Sequence, residues 1–177
     1  MINFDNAATT FPKPRSVRQA MEMAMLKYGG NAGRGGHQLT ERTSEQVFAA
    51  REEAAAFFGG KPENTIFCLN CTHALNLAIQ GIVQPNDHVI ISNLEHNAVL
   101  RPVAAMVRER GVQCSIAPVS VDDKETIAAF RARIRPNTRA IICTLASNVT
   151  GQILPYRELA ALCNEHDICM IADGAQA

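Results

Sequence analysis

HVIISNLEHNAVLRPVAAMVRERGVQCSIAP, residues 88–118, holds the reading on which the fold turns. Within its first five residues, His88–Ser92, the middle three are Val-Ile-Ile, as expected of a strand buried on both faces of a parallel sheet. Asn97–Arg110 then carries helical spacing, and Gly111 follows where a left-handed residue usually closes the last turn. A second strand-like run, Gln113–Pro118, comes next. Strand, helix and strand in so short a span predict a βαβ crossover, the repeating unit of an open α/β sheet.

The same alternation extends in both directions. Strand-like runs rich in Ile and Val occur at Thr65–Leu69, Ala140–Leu145 and Ile168–Ala172, and helical patterns at Ala74–Gln80, Ile127–Arg133 and Pro155–Glu165. Gly81 follows the first of these helices and is expected to close it. The predicted class is therefore α/β, a mostly parallel sheet with helices on both faces, occupying residues 61–177. Residues 1–60 are of another kind. Ser16–Tyr28 reads as a helix, residues 29–36 as a glycine-rich loop, and Leu39–Phe58 as a long helix closed by Gly59. Leu39, Val47, Ala50, Ala54, Phe57 and Phe58 have the spacing of a core-facing stripe. The sequence stops at Ala177, just after a strand that a further element should cover. It is expected to be the truncated front part of a longer protein.

Composition narrows the function classes. The 177 residues carry 17 Lys and Arg against 17 Asp and Glu. Phosphate-backbone binding needs a basic excess or stripe, so no nucleic-acid partner is expected. Arg131, Arg133, Arg135 and Arg139 crowd one stretch, but their spacing reads as a solvated surface. No apolar run reaches the length a membrane helix needs, and the N-terminus has no signal-like pattern, so neither membrane nor secretion is expected. The six cysteines then read as reduced thiols of a cytoplasmic protein.

In an open parallel sheet, ligands bind outside the carboxyl ends of the strands. Cys71-Thr72-His73-Ala74 follows the first predicted strand and Glu95-His96-Asn97 the second. Ser147-Asn148 follows the fourth, and Asp173 with Gln176 the fifth. Each has an ordinary reading as a turn residue; together they describe one polar rim. Thr72 with the amides of His73 and Ala74 makes a helix N-terminus suited to a phosphate, or a plain cap. Asp173, ending a buried strand, needs a cationic partner or hydrogen bonds; a pyridinium nitrogen, a Mg²⁺ ion or a turn could each supply them. His96 can lie against an aromatic ligand or move protons, or simply be solvated. Asn148 can donate to a phenolate oxygen or shape the turn before Gly151. Cys68-Leu69-Asn70-Cys71 has the spacing of a redox or zinc pair, but no second pair completes a zinc site, and no metal site is expected. The glycines of residues 33–36 precede the first strand, so they do not make a dinucleotide fingerprint.

These motifs resemble the class V aminotransferase-like enzymes of fold-type I, most closely the cysteine desulfurase and selenocysteine lyase group. The resemblance runs from Phe4-Asp5-Asn6-Ala7-Ala8-Thr9-Thr10 through Gly33-Arg34-Gly35-Gly36-His37, Cys71–Ala78, Glu95–Leu100 and Ser147–Gly151 to Ala172–Gln176. It implies the large domain of the fold-type I transferases, with pyridoxal 5′-phosphate as cofactor and the C-terminal small domain absent. It also implies roles. Thr72, with the His73 and Ala74 amides, takes the phosphate; His96 stacks on the ring and assists proton transfer; Asn148 and Gln176 face the ring hydroxyl. Asp173 meets the ring nitrogen, and Asn6 and His37 lie on the substrate side. The parent enzyme is then expected to be a homodimer that turns L-cysteine into L-alanine and an enzyme persulfide, with a protein sulfur acceptor. A class V transaminase or another lyase of this cofactor is the alternative. The family's Schiff-base lysine follows a Ser-x-His motif beyond the position of Ala177. Lys13, Lys27, Lys61 and Lys124 all lie upstream of it, and no cysteine of this sequence matches the family's mobile-loop nucleophile. The chain by itself is therefore expected to be a non-catalytic module that at most binds phosphate or cofactor weakly.

Overall fold

A computed structural model describes residues 2–6 and 9–177. Ala7 and Ala8, within the first quoted motif, lie outside the described residues. The chain divides into two compact units, Met1–Phe67 and Cys68–Ala177.

The second unit is a four-stranded sheet in the order β2-β1-β3-β4, every pairing parallel. Its strands are β1 (His88–Ser92), β2 (Gln113–Ala117), β3 (Thr138–Thr144) and β4 (Cys169–Asp173). The helices are α3 (Cys71–Ile82), α4 (Asn97–Arg110), α5 (Asp123–Arg131) and α6 (Tyr156–Glu165). Successive side chains of a strand face opposite sides of the sheet, and the two cores divide accordingly. Val89, Ile91, Ala140 and Ile142 pack with Leu75, Ile79, Val99 and Val103 of α3 and α4. Ile90, Ile141 and Cys143 pack with Phe130, Leu159 and Leu162 of α5 and α6. Because β1 sits between β2 and β3, the chain leaves it first to one side and later crosses to the other. That reversal opens a crevice at the carboxyl ends of β1 and β3.

One expectation for the helices of this unit fails. Gly81 does not end α3, which continues to Ile82; Val83 just beyond is buried in the same core, and this burial holds the last turn on the sheet. Gly111 does close α4, at φ 68°, where an added Cβ would meet Asn86 Oδ1 at 3.0 Å. Arg131, Arg135 and Arg139 are exposed, as expected of a solvated surface, and the cluster also makes hydrogen bonds there. Arg133 donates to the Ile116 and Ala129 carbonyls at 2.8 and 2.7 Å, and Arg135 to Gln113 and Ser115. Arg131 forms a two-point ion pair with Glu165.

His88 is fully buried at the start of β1. One ring nitrogen lies 2.8 Å from the Thr138 hydroxyl on β3 and the other 2.8 Å from the Ser115 hydroxyl on β2. Burial, helped by the Arg135 charge, holds its pKa below the ordinary 6.5. A depressed imidazole pKa means the folded state resists protonation. Its contribution to stability is therefore complete above 6.5 and is lost as pH falls through the folded value, at about 1.4 kcal/mol per unit of depression. Urea midpoints measured between pH 7.5 and 5 should fall less steeply in His88→Gln than in the unmodified chain.

In the first unit, α1 (Arg15–Lys27) and α2 (Gln38–Phe57) match the helices read from sequence, but the expected stripe does not form a core. Leu39, Val47, Phe57 and Phe58 are exposed, while Thr40, Thr43 and Ala55 are the buried residues of α2. A periodic apolar face is buried only where another element covers it. The Thr43 hydroxyl instead receives the Gly30 amide at 3.2 Å. Gly30 is required there, since a Cβ would fall 2.6 Å from the Leu39 carbonyl oxygen. Thr65–Leu69, expected as a strand, pairs with nothing among the described residues and leaves Ile66, Phe67 and Leu69 exposed. Apolar character identifies a strand's residues but not whether a neighbour is present to complete its hydrogen bonds.

Candidate functional site

At the carboxyl ends of β1, β3 and β4 lies a cleft of about 230 Å³ whose lining includes Cys71, Thr72, His96, Asn148, Asp173 and Gln176. Its floor is set by β4. Asp173, the last residue of that strand, is 4% exposed, and its Oδ1 accepts from the Ala175 amide at 3.0 Å and the Cys71 thiol at 3.2 Å. Its Oδ2 takes no hydrogen bond among the described residues. An unpaired carboxylate oxygen of a largely buried residue, open to the cleft, is satisfied best by a cation or donor arriving there.

One wall is the start of α3. Asn70, not Thr72, is the cap: its side chain accepts from the His73 amide at 2.9 Å and its carbonyl from the Ala74 amide at 3.1 Å. The two amides assigned to a phosphate from sequence are thus consumed within the helix, and neither His73 nor Ala74 lines the cleft. The amides of Cys71 and Thr72, one turn-step earlier, have no partner among the described residues, and neither does the Thr72 hydroxyl. Unpaired amides at the positive end of a helix, beside a free hydroxyl, form a ready anion site.

The opposite wall follows β1 and β3. His96 caps α4, its Nδ1 accepting from the Ala98 amide at 3.1 Å. An accepting Nδ1 is unprotonated, so the neutral ring carries its hydrogen on Nε2. Asn148 is exposed in a turn built by Ser147, whose hydroxyl accepts the Val149 and Thr150 amides, both at 3.3 Å. Neither Asn148 nor Gln176 spends its amide on another described residue, so both keep donors for a ligand.

Glu95, just before His96, has no role expected from the sequence. It is 8% exposed and staples two strand ends: Oε1 accepts from the Ser92 hydroxyl in a short bond and from the Thr144 amide at 2.9 Å. Oε2 is buried without a partner. Burial raises its pKa against the pull of the Ser92 and Thr144 hydrogen bonds, and the nearby Asp173 charge raises it further. A strongly charged residue directly after an apolar strand is the signal that could have marked it.

Asn6 and His37 belong to the first unit, where Asn6 accepts from the Phe11 amide at 3.3 Å and the His37 ring meets the Thr40 hydroxyl at 3.0 Å. The redox reading of Cys68 and Cys71 fails on chemistry. Burial, the bond to Asp173 and its negative charge push the Cys71 thiol up to about 11, whereas a redox-active thiol needs a lowered value. Among the described residues, no three His, Cys, Asp or Glu side chains gather as metal ligands, and no helix is long and apolar enough to cross a membrane.

Comparison with known proteins meets this geometry. The family described as Aminotransferase class-V matches residues 2–177. A cysteine desulfurase of Serratia proteamaculans is 30% identical over 178 residues, covering 97% of this chain and 44% of its own length. A structure of SspA in complex with cysteine superposes with a TM-score of 0.85 at 25% identity, over 97% of this chain and 50% of that one. The fold is shared as well with a lyase mutant, C-DES, holding glycine covalently linked to its pyridoxal-phosphate cofactor, at a TM-score of 0.74 and 22% identity over 92% of this chain and 43% of that one. The chain spans between about a quarter and a half of the length of the relatives it matches.

Proposed function

The chain belongs to the class V aminotransferase family, whose enzymes depend on pyridoxal 5′-phosphate, and on that footing we propose that it is the cofactor-binding part of a cysteine desulfurase. The single observation that carries the cofactor assignment is the unpartnered Oδ2 of the buried Asp173, in the lining of a cleft that also offers the unpaired amides of Cys71 and Thr72. A molecule that is cationic at one end and anionic at the other satisfies both. Pyridoxal phosphate is such a molecule, and when bound it supplies an electron sink for the carbon bearing the substrate's amino group.

The chain's own residues then divide the work. The Cys71 and Thr72 amides with the Thr72 hydroxyl hold the phosphate. Asp173 keeps the ring nitrogen protonated. Asn148 and Gln176 donate to the ring hydroxyl, and His96 covers the ring with Nε2–H free to pass a proton. Asn6 and His37 are assigned to the substrate side. L-Cysteine is the proposed substrate, supported by the names of the relatives and by the cysteine complex of SspA. The full-length enzyme is proposed to be a cytoplasmic homodimer that passes sulfur to a protein acceptor.

Lys124, the one lysine of the second unit, does not line the cleft, and binding to this chain is proposed to be non-covalent. The 177-residue chain is expected to bind pyridoxal 5′-phosphate saturably at one site. After borohydride treatment, peptide mapping should find no single lysine modified stoichiometrically. A chain that shows no saturable binding, or that carries one defined lysine adduct, contradicts the assignment.

A further inference from the structure

We infer that Cys71 is a positioning residue for Asp173: its thiol, together with the Ala175 amide, fixes Oδ1 so that Oδ2 is the oxygen presented to a cationic ring nitrogen. This rests on the reading of the cleft as a cofactor site. The two residues lie 102 positions apart in sequence, yet Cys71 Sγ donates to Asp173 Oδ1 at 3.2 Å. The Ala175 amide donates to the same oxygen at 3.0 Å. With both donors on one oxygen, rotation of the carboxylate would break two hydrogen bonds in a buried place, and the free oxygen is held toward the cleft.

The placement of the sulfur is itself built. Asn70 caps α3 and puts Cys71 at its first position, with the thiol directed across to the end of β4. Although the residue as a whole is exposed, its sulfur is turned onto Asp173. A thiol raised to about 11 keeps its proton at neutral pH and is therefore a donor, not a nucleophile. Glu95 adds a second acid close to Asp173. A neutral donor on Oδ1 steadies the carboxylate there without competing for the cation.

Two measurements test the assignment. In the ligand-free chain, the pH profile of iodoacetamide alkylation at Cys71, read by peptide mass spectrometry, should shift to lower pH in Asp173→Asn. The rate at pH 8 should rise roughly threefold or more, since each unit of pKa is worth tenfold in thiolate. An unchanged profile overturns the inference. With pyridoxine 5′-phosphate, which lacks the aldehyde, Cys71→Ala should bind about 3- to 10-fold more weakly than the unmodified chain, as expected for loss of one hydrogen bond, and Cys71→Ser should recover most of that loss. Equal weakening in both variants, or none in either, overturns it. Failure of the unmodified chain to bind would defeat the cofactor reading, and the alkylation profile would still decide the role of Cys71.

Discussion

Asp173→Asn should weaken binding of pyridoxine 5′-phosphate at pH 7 by roughly 10- to 100-fold, the scale of one lost charge-assisted hydrogen bond in a buried site. The substitution keeps the shape of the side chain and removes its charge. Oδ1 can still accept from the Ala175 amide, so the turn that follows β4 is preserved. What is lost is the anion that makes a protonated ring nitrogen favourable. The absorbance of the residual complex should accordingly be that of the unprotonated ring. Folding stability should change little or rise slightly, because the buried Glu95 loses a like-charged neighbour. An affinity within a factor of two of the unmodified chain, with an unchanged spectrum, would mean that Asp173 does not face the ligand.

Phe130→Ala should cost about 3 to 5 kcal/mol of stability, the range for truncating a fully buried aromatic side chain. Phe130 is 0% exposed and packs from α5 against Ile90 and Ile141 of the sheet and Leu159 and Leu162 of α6. Its removal leaves a cavity between three elements that a β-sheet cannot close by collapse. Native domains have about 5 to 15 kcal/mol in total, so the variant should sit near unfolding at 37 °C. Phe130 does not line the cleft. The folded fraction should therefore keep its affinity, and apparent binding should fall only as far as folding does. A urea-derived loss below 1 kcal/mol would show that this layer is not the core of the unit.

Most of the sheet was legible because the signals for parallel strands are local and redundant. Val89–Ile91 at the centre of β1 is apolar, turn residues follow the strand, and the bounds of the next helix, Asn97–Arg110, were readable from its spacing and from Gly111. Where reading failed, the deciding contact was distant. Thr65–Leu69 looks like its neighbours in composition but has no paired strand among the described residues. Leu39, Val47 and Phe57 have the periodicity of a buried stripe, but no described element of their own unit buries them. Gly81 stays helical because the residues beyond it still reach the core.

The site divides in the same way. The rule that ligands gather at strand ends located Thr72, His96, Asn148, Asp173 and Gln176, which the structure arranges around one cleft. It could not say which amides remain open, since that depends on Asn70 taking the cap and consuming the His73 and Ala74 N–H groups. Nor could it find the bond between Cys71 and Asp173, or the staple from Glu95 to Thr144, because only the folded sheet brings those residues together.

The central claim is that side chains from separate strand ends clasp one phosphorylated pyridine. The direct test is a titration of the ¹⁵N-labelled chain with pyridoxine 5′-phosphate, followed residue by residue in its amide spectrum. Shifts at Cys71, Thr72, His96, Asn148 and Asp173 should saturate together with a single dissociation constant, while Arg135 and Ile168 at the other end of the sheet stay unmoved. Saturation of these residues at different concentrations, or shifts concentrated away from the ends of β1, β3 and β4, would contradict it.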